Sequence, residues 1–316
     1  MKGIQAYGVS LPFYRIQRGT IFEAMGWFNP GLAALKGGEK AVANHDEDSL
    51  TLAVAAGKTC LSDTDRDGIQ GLYMASSTLP YRERSNAGIA LAALNLSSEC
   101  RTAELGAEIK SGVTALVSAL GEDGGGSTLV CASDCRLGKA GGSSEILFGD
   151  GAAAFVVGDG DVIATFEGAH ALSYDFPDYR RINGDAFVRS WEERWIREEG
   201  FVRFVPQALE GLLKQAGLGI DALAKVVYPP LGARDHTAVG KRLGLKDSQI
   251  QDHLLGLIGH TGTAHPLIML AAALEEAKPG DYIAVAGYGG GSDALLLRAT
   301  EAVTESASRG QFQKGL

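Results

Sequence analysis

No apolar run in this chain approaches the roughly 20 residues that a bilayer-spanning helix needs, so the sequence offers no membrane segment. No secretory leader is expected either, because Met1-Lys2-Gly3 runs straight into a strand pattern. Cysteine is scarce, with only Cys60, Cys100, Cys131 and Cys135 in 316 residues. That spacing gives no disulfide framework and implies a cytoplasmic setting. Cys131 and Cys135 stand four apart, but no second pair completes a zinc site, so no metal is expected. Basic residues are in deficit, 29 Lys and Arg against 38 Asp and Glu, and the net charge of −9 argues against nucleic-acid binding. No low-complexity linker marks an added domain.

What remains is a chain with 45% hydrophobic residues and alternating strand and helix patterns. Its length suits two fused halves better than one core. Leu50 to Leu61 reads as an amphipathic helix capped near Asp48 or Ser49. Gly68 to Met74 reads as a strand and Asn86 to Leu94 as a helix. Phe201 to Gly217 reads as a helix with a glycine stop, and Ala224 to Tyr228 as a strand ended by Pro229-Pro230. Ala264 to Ala277 reads as a helix after glycine-rich turns. Repeated strand–helix units predict a mostly parallel, helix-covered sheet in each half.

The stretch Tyr174 to Gly200 is less regular. It carries Arg180, Arg181, Arg189, Arg194 and Arg197 with Trp191 and Trp195, and it reads as a solvated charged helix. A lid over a cofactor tunnel is the alternative. Thr304 to Leu316 is polar and predicts a loose tail.

Two glycine-rich segments sit in corresponding places. Phe148-Gly149-Asp150-Gly151-Ala152 follows an apolar strand at Ser127 to Ala132 and precedes another at Ala153 to Val157. Gly287-Tyr288-Gly289-Gly290-Gly291-Ser292 follows Asp281 to Ala286 and precedes Ala294 to Arg298. One such pattern per half is what internal duplication produces, although two ordinary hairpins would give the same signal.

Ala103 to Leu116 reads as a short loop running into a helix, with an apolar face following at Leu116, Val117 and Leu120. A helix start of this kind stabilises a thiolate. The segment Ile109-Lys110-Ser111-Gly112-Val113-Thr114-Ala115 resembles the nucleophile turn of hydroxymethylglutaryl-CoA synthases and the related ketoacyl synthase III enzymes of the thiolase superfamily. The resemblance runs from about residue 1 to about residue 301. Gly3 to Pro12 is similar to the family's first strand, Asp46 to Ala53 to its first helix start, and the two glycine-rich segments to its own.

The resemblance implies an α/β, thiolase-like fold: two duplicated halves, residues 1–165 and 166–316, in a five-layered αβαβα arrangement. It also implies where catalysis would sit, in one pocket that Tyr228 and His260 should share. Ile109 occupies the position of the family's cysteine, Tyr228 that of its histidine, His260 that of its asparagine and Ser77 that of its glutamate acid/base. Acyl transfer on this scaffold needs a thiolate, a histidine and a donor for the thioester carbonyl. No catalytic residue is therefore expected at these degenerate positions. Ser111 with His265 is a conceivable rebuilt pair, but they read more simply as a helix-start residue and a loop histidine.

The leading expectation is a non-catalytic, architectural subunit of an acyl-CoA thiolase or acyltransferase complex. It would act in acyl transfer or carbon–carbon bond formation or cleavage on CoA thioesters. The alternative is an active acyl-CoA-condensing acyltransferase with an altered mechanism, and a third is an acyl-CoA sensor. The partners implied are a second copy, or a catalytic thiolase with a small OB-fold acyl-CoA-binding protein. No covalently bound cofactor is expected, and a retained pocket would still take a CoA thioester. Ser127 to Ala132, with the segment to Ala140, is the candidate dimer seam, on the reasoning that an edge strand needs pairing.

Overall fold

The computed structural model describes all 316 residues. The first half contains β1 (Lys2–Ser10), α1 (Ser49–Cys60), β2 (Ile69–Ala75), α2 (Asn86–Ala93), β3 (Arg101–Leu105), α3 (Ser111–Leu120), β4 (Ser127–Asp134) and β5 (Gly151–Asp159). The second contains β6 (Ala164–Ser173), α4 (Val202–Ala216), β7 (Leu223–Val227), α5 (Ala233–Leu243), α6 (His265–Glu276), β8 (Tyr282–Tyr288) and β9 (Gly291–Ala299). Two short helices, α7 (Val303–Ser308) and α8 (Gln311–Gly315), follow.

Local chemistry sets several of these ends. Asp48 caps α1: its carboxylate accepts from the Thr51 amide at 2.8 Å, and the Thr51 hydroxyl accepts from the Asp48 amide at 2.7 Å. Two otherwise orphaned donors are satisfied at once. α4 stops where Gly217 takes a left-handed conformation.

The two halves repeat one strand order. The first runs β3-β2-β4-β5-β1 and the second β7-β8-β9-β6, with Ile250 bridging in parallel to Val226 outside β7. β2 pairs in parallel with both β3 and β4, and β7 in parallel with β8. β1 and β6, the first strand of each half, meet at Gly3↔Thr165 and Ile4↔Ala164. A Cβ on Gly3 would lie 2.1 Å from the Ala164 carbonyl oxygen, so this approach requires glycine. The division at residues 165 and 166 falls inside β6.

Alternation along each strand feeds two cores. In β4, Val130 and Ala132 face the centre, whereas Leu129 and Cys131 face outward. In β8, Ile283 and Val285 face the centre, and Ala284 and Ala286 face outward. α3 and α6 fill the middle layer between the two half-sheets. Every residue of α6 from His265 to Leu274 is buried, which explains why its sequence is apolar all round. α1 and α2 cover the outer face of the first half-sheet, and α4 and α5 that of the second. The result is the five-layered αβαβα thiolase-like fold.

Three expectations are corrected. β4 is not an edge strand, because β2 and β5 flank it; the free edge of the first half is β3. The tail is not loose, since Phe312 is buried and the Leu11 amide donates to the Gly315 carbonyl at 3.2 Å. Tyr174 to Gly200 is not a charged helix. It forms a small hairpin pairing Tyr179–Arg180 with Arg189–Ser190, then a short helical turn at Glu193–Trp195 that runs into α4. Phe176, Tyr179 and Ile196 turn inward, whereas Ile182, Phe187, Trp191 and Trp195 are exposed along with Arg180, Arg181, Arg189 and Arg194.

Candidate active site

In open α/β sheets, ligands gather outside the carboxyl ends of the parallel strands. Here Ser77 follows β2, Ala107 to Ile109 follow β3, Arg136 follows β4, and Gly289-Gly290 join β8 to β9. All of them line one cavity of about 340 Å³, whose far wall is Tyr174 to Arg181. A second cavity of about 160 Å³ adjoins it and includes Phe148, Leu231, Gly232 and His260. Arg136 and Tyr179 stand in the wall of both.

Ile109 precedes α3 and is 8 % exposed. The turn leading to it holds Ala107 at φ +74°, a strained conformation for a residue with a side chain. Gly112 lets α3 start against the loop before α6; a Cβ there would lie 2.1 Å from the Thr263 carbonyl oxygen. Ile109 therefore presents an apolar surface to the cavity from a tightly fixed turn.

Ser77 lies in the same cavity, but its hydroxyl is committed. It donates to Asp134 Oδ1 at 3.0 Å, and that oxygen also accepts from the Ser77 amide at 2.7 Å and the Thr78 hydroxyl at 3.0 Å. Asp134 Oδ2 accepts from the Thr263 amide at 2.8 Å. Asp134 is thus a buried acceptor hub that clamps β2, β4 and the loop before α6 together.

His260 belongs to the smaller cavity. Its Nδ1 accepts from the Gly262 amide at 3.1 Å, and its ring lies 5.0 Å from that of His265. Burial, above all, pulls its pKa well below the ordinary value, which leaves a neutral imidazole. Tyr228 is withdrawn from both cavities, contrary to the expectation that it shares a pocket with His260. It is fully buried behind β7, stacks on His236 at 4.2 Å, and donates its hydroxyl to the His236 carbonyl at 2.9 Å.

The conceivable Ser111–His265 pair does not form. The Ser111 hydroxyl donates to the Gly106 carbonyl, and His265 is fixed between the Thr261 amide and the His253 carbonyl. No cysteine lines either cavity; Cys131 and Cys60 are buried in the outer core of the first half, and burial raises both thiols. No group of three or more His, Cys, Asp or Glu is arranged to hold a metal, and no helix is long and apolar enough to cross a membrane.

Sequence reasoning missed Arg136, Asp134 and Tyr179. The signal for the first two was a charged pair, Asp134 and Arg136, closing an otherwise apolar strand. Tyr179 gave none, because it reaches the site only through the hairpin.

Residues 213–298 match the profile of the C-terminal part of 3-oxoacyl-[acyl-carrier-protein] synthase III. The hydroxymethylglutaryl-CoA synthase of Aeropyrum pernix is 31% identical over 313 residues, covering 96% of this chain and 86% of that protein. The chain belongs to the hydroxymethylglutaryl-CoA synthase family. It therefore falls among the acyl-CoA-condensing, acyltransferase-type proteins of the thiolase superfamily. The family's enzyme from Thermococcus onnurineus is 29% identical, with 96% of this chain and 88% of that one covered.

Solved structures carry the same fold. MvaS in complex with 3-hydroxy-3-methylglutaryl coenzyme A superposes with a TM-score of 0.85 at 20% identity, over 99% of this chain and 87% of that one. The 3-oxoacyl-[acyl-carrier-protein] synthase III of Aquifex aeolicus superposes with a TM-score of 0.82 at 20% identity, over 94% and 100%.

Proposed function

We propose that this member of the hydroxymethylglutaryl-CoA synthase family is a non-catalytic subunit. It binds a CoA thioester and supports acyl transfer or carbon–carbon bond chemistry carried out by a partner. The observation that carries this reading is Ile109. At the start of α3, where a helix terminus best stabilises a thiolate, the cavity wall is an apolar side chain. Isoleucine cannot attack a thioester. The residues at the other expected positions support the same reading. Tyr228 and Ser77 spend their hydroxyls on structural hydrogen bonds, and His260 is a buried neutral ring.

The cavity itself is retained, and relatives crystallised with CoA or a CoA thioester share the fold. A CoA thioester is therefore the ligand class to test, with no covalently bound cofactor. The partners proposed are a second copy, or a catalytic thiolase together with a small OB-fold acyl-CoA-binding protein.

The retained cavity also favours a second reading, an active condensing acyltransferase with an altered mechanism. Intact-mass spectrometry separates the two. Purified protein incubated with acetyl-CoA or acetoacetyl-CoA should gain no acyl mass. An acetyl adduct mapped to any cavity residue would overturn the non-catalytic reading. Identification of the co-purifying proteins tests the assembly.

A further inference from the structure

The chain has five asparagines, Asn29, Asn44, Asn86, Asn95 and Asn183, and only Asn183 is followed by glycine. An asparagine loses its amide when the next residue's backbone nitrogen attacks the side-chain carbonyl carbon. That attack needs an uncommitted N–H at the following residue, and four of the five positions lack one. Pro30 has no N–H at all. The His45 amide donates to Asn44 Oδ1 at 2.9 Å, the Ala87 amide to Glu104 Oε1 at 3.0 Å, and the Leu96 amide to the Leu91 carbonyl at 3.1 Å.

Asn183 is the exception. With Gly184 it forms the exposed tip of the hairpin that pairs Tyr179–Arg180 with Arg189–Ser190. The Asp185 amide closes the turn onto the Ile182 carbonyl at 3.0 Å, and the Gly184 amide at the crown donates to nothing. Gly184 sits at φ +89°, and no atom lies within 4 Å of the place a Cβ would take, so its nitrogen is uncrowded. Exposed backbone of this kind opens locally at little cost. Arg82 Nη1 donates to Asn183 Oδ1 at 2.6 Å, which ties the hairpin tip to the loop after β2.

We propose that Asn183 is a self-modification site, at which the folded protein converts an amide into a carboxylate with water as the only co-reactant. The Gly184 nitrogen gives its proton to base and attacks Asn183 Cγ. The Cγ–Nδ2 bond breaks, ammonia leaves with a proton from solvent, and a five-membered succinimide closes. Water then opens the ring. Attack at Cγ restores the main chain with an aspartate side chain; attack at the Asn183 carbonyl carbon routes the chain through the side chain as isoaspartate. Either way one asparagine and one water give one acid and one ammonia. In the aspartate product the new carboxylate forms where Arg82 already donates, so a neutral acceptor becomes a charged one. Ser77, Val188, Arg180 and Arg181 at the two ends of this bridge line the larger cavity, so conversion adds a negative charge beside its arginine-bearing rim.

The test is peptide mapping by mass spectrometry of the full chain, aged in mildly alkaline and in mildly acidic buffer. Asn183 should convert at least about tenfold faster than any other asparagine, because only its neighbour is an uncommitted glycine. Conversion should be faster in the alkaline sample, since base must take the amide proton. Isoelectric focusing should show a matching acidic shift that Asn183→Gln abolishes. Gly184→Ala should slow conversion at least about fivefold, because a Cβ crowds the attacking nitrogen and resists the left-handed turn. Asn95 is the internal comparison, being exposed but followed by a committed amide. Equal rates at Asn95 and Asn183, a rate no faster in alkaline buffer, or an acidic shift that persists in Asn183→Gln overturns the inference. An unchanged rate in Gly184→Ala overturns the attack by the Gly184 nitrogen.

Discussion

Lys110 Nζ lies 3.1 Å from Asp293 Oδ1, and this buried pair joins the turn before α3 in one half to β9 in the other. Thr114 also donates to Asp293, so the carboxylate is held from two directions. Removing one partner leaves the other charge buried. Asp293→Ala should cost about 3–5 kcal/mol of stability, whereas Lys110→Met combined with Asp293→Leu should cost clearly less. Urea unfolding of the two variants makes the comparison. Equal losses would show that the charge pairing itself does not matter.

Ile109 shares a core with Phe201, Tyr288 and Leu296 as well as lining the cavity. Ile109→Ala should destabilise the protein by about 2 kcal/mol, the low end for such truncations, because space already lies on one side. Ile109→Cys alone should not create turnover, since the groups that would act with a thiolate are engaged elsewhere. Thermal melts and a condensation assay check both statements, and turnover in Ile109→Cys would contradict the second.

Tyr228→Phe should behave as a stability variant. It removes one buried hydrogen bond, to the His236 carbonyl of α5, and should cost about 0.5–1.5 kcal/mol. Activity of any assembled complex should survive. Loss of activity at an unchanged melting point would mean that Tyr228 takes part in chemistry after all.

Four of the six histidines cluster, His236, His253 and His265 behind the cavities and His260 in the wall of the smaller one. Burial pulls His236 down to about 3 and His265 to about 4, and lowers the other two. In the unfolded chain these groups protonate near the ordinary value of about 6.5. Below that pH the unfolded state binds more protons, so stability falls, by up to about 1.4 kcal/mol per pH unit for each proton. Asp150, raised to about 6 by burial, opposes this at lower pH, where the folded state holds its proton more tightly than the unfolded one. Urea midpoints should therefore drop between pH 7.5 and 5.5, and His236→Asn should shrink that drop. A flat profile over this window would refute the argument.

The exposed edge of the first half-sheet is β3, with Arg101, Thr102 and Glu104 facing solvent. An unprotected edge invites pairing, and extension of the sheet across a two-fold axis supplies it. Sedimentation should show a dimer at micromolar concentration, weakened by Thr102→Lys. A stable monomer, with and without partners, would remove this proposal.

Much of the architecture was legible from local pattern alone. Asp48 or Ser49 marked the start of α1, Gly217 the end of α4, and the paired glycine segments the duplication, because each depends on neighbours in sequence. The apolar residue at the start of α3 was equally plain. Tertiary structure alone decided which side chains share a cavity. Tyr228 and His260 looked like neighbours in one pocket, yet Tyr228 turns behind β7 to reach the His236 carbonyl while His260 faces the smaller cavity. Arg136 stacks on Phe148 and Tyr179, which only the fold brings to it from distant segments. The edge strand was misjudged for the same reason. Strand order depends on crossovers through the helix layers, and a strand's own residues do not record which neighbours it will have.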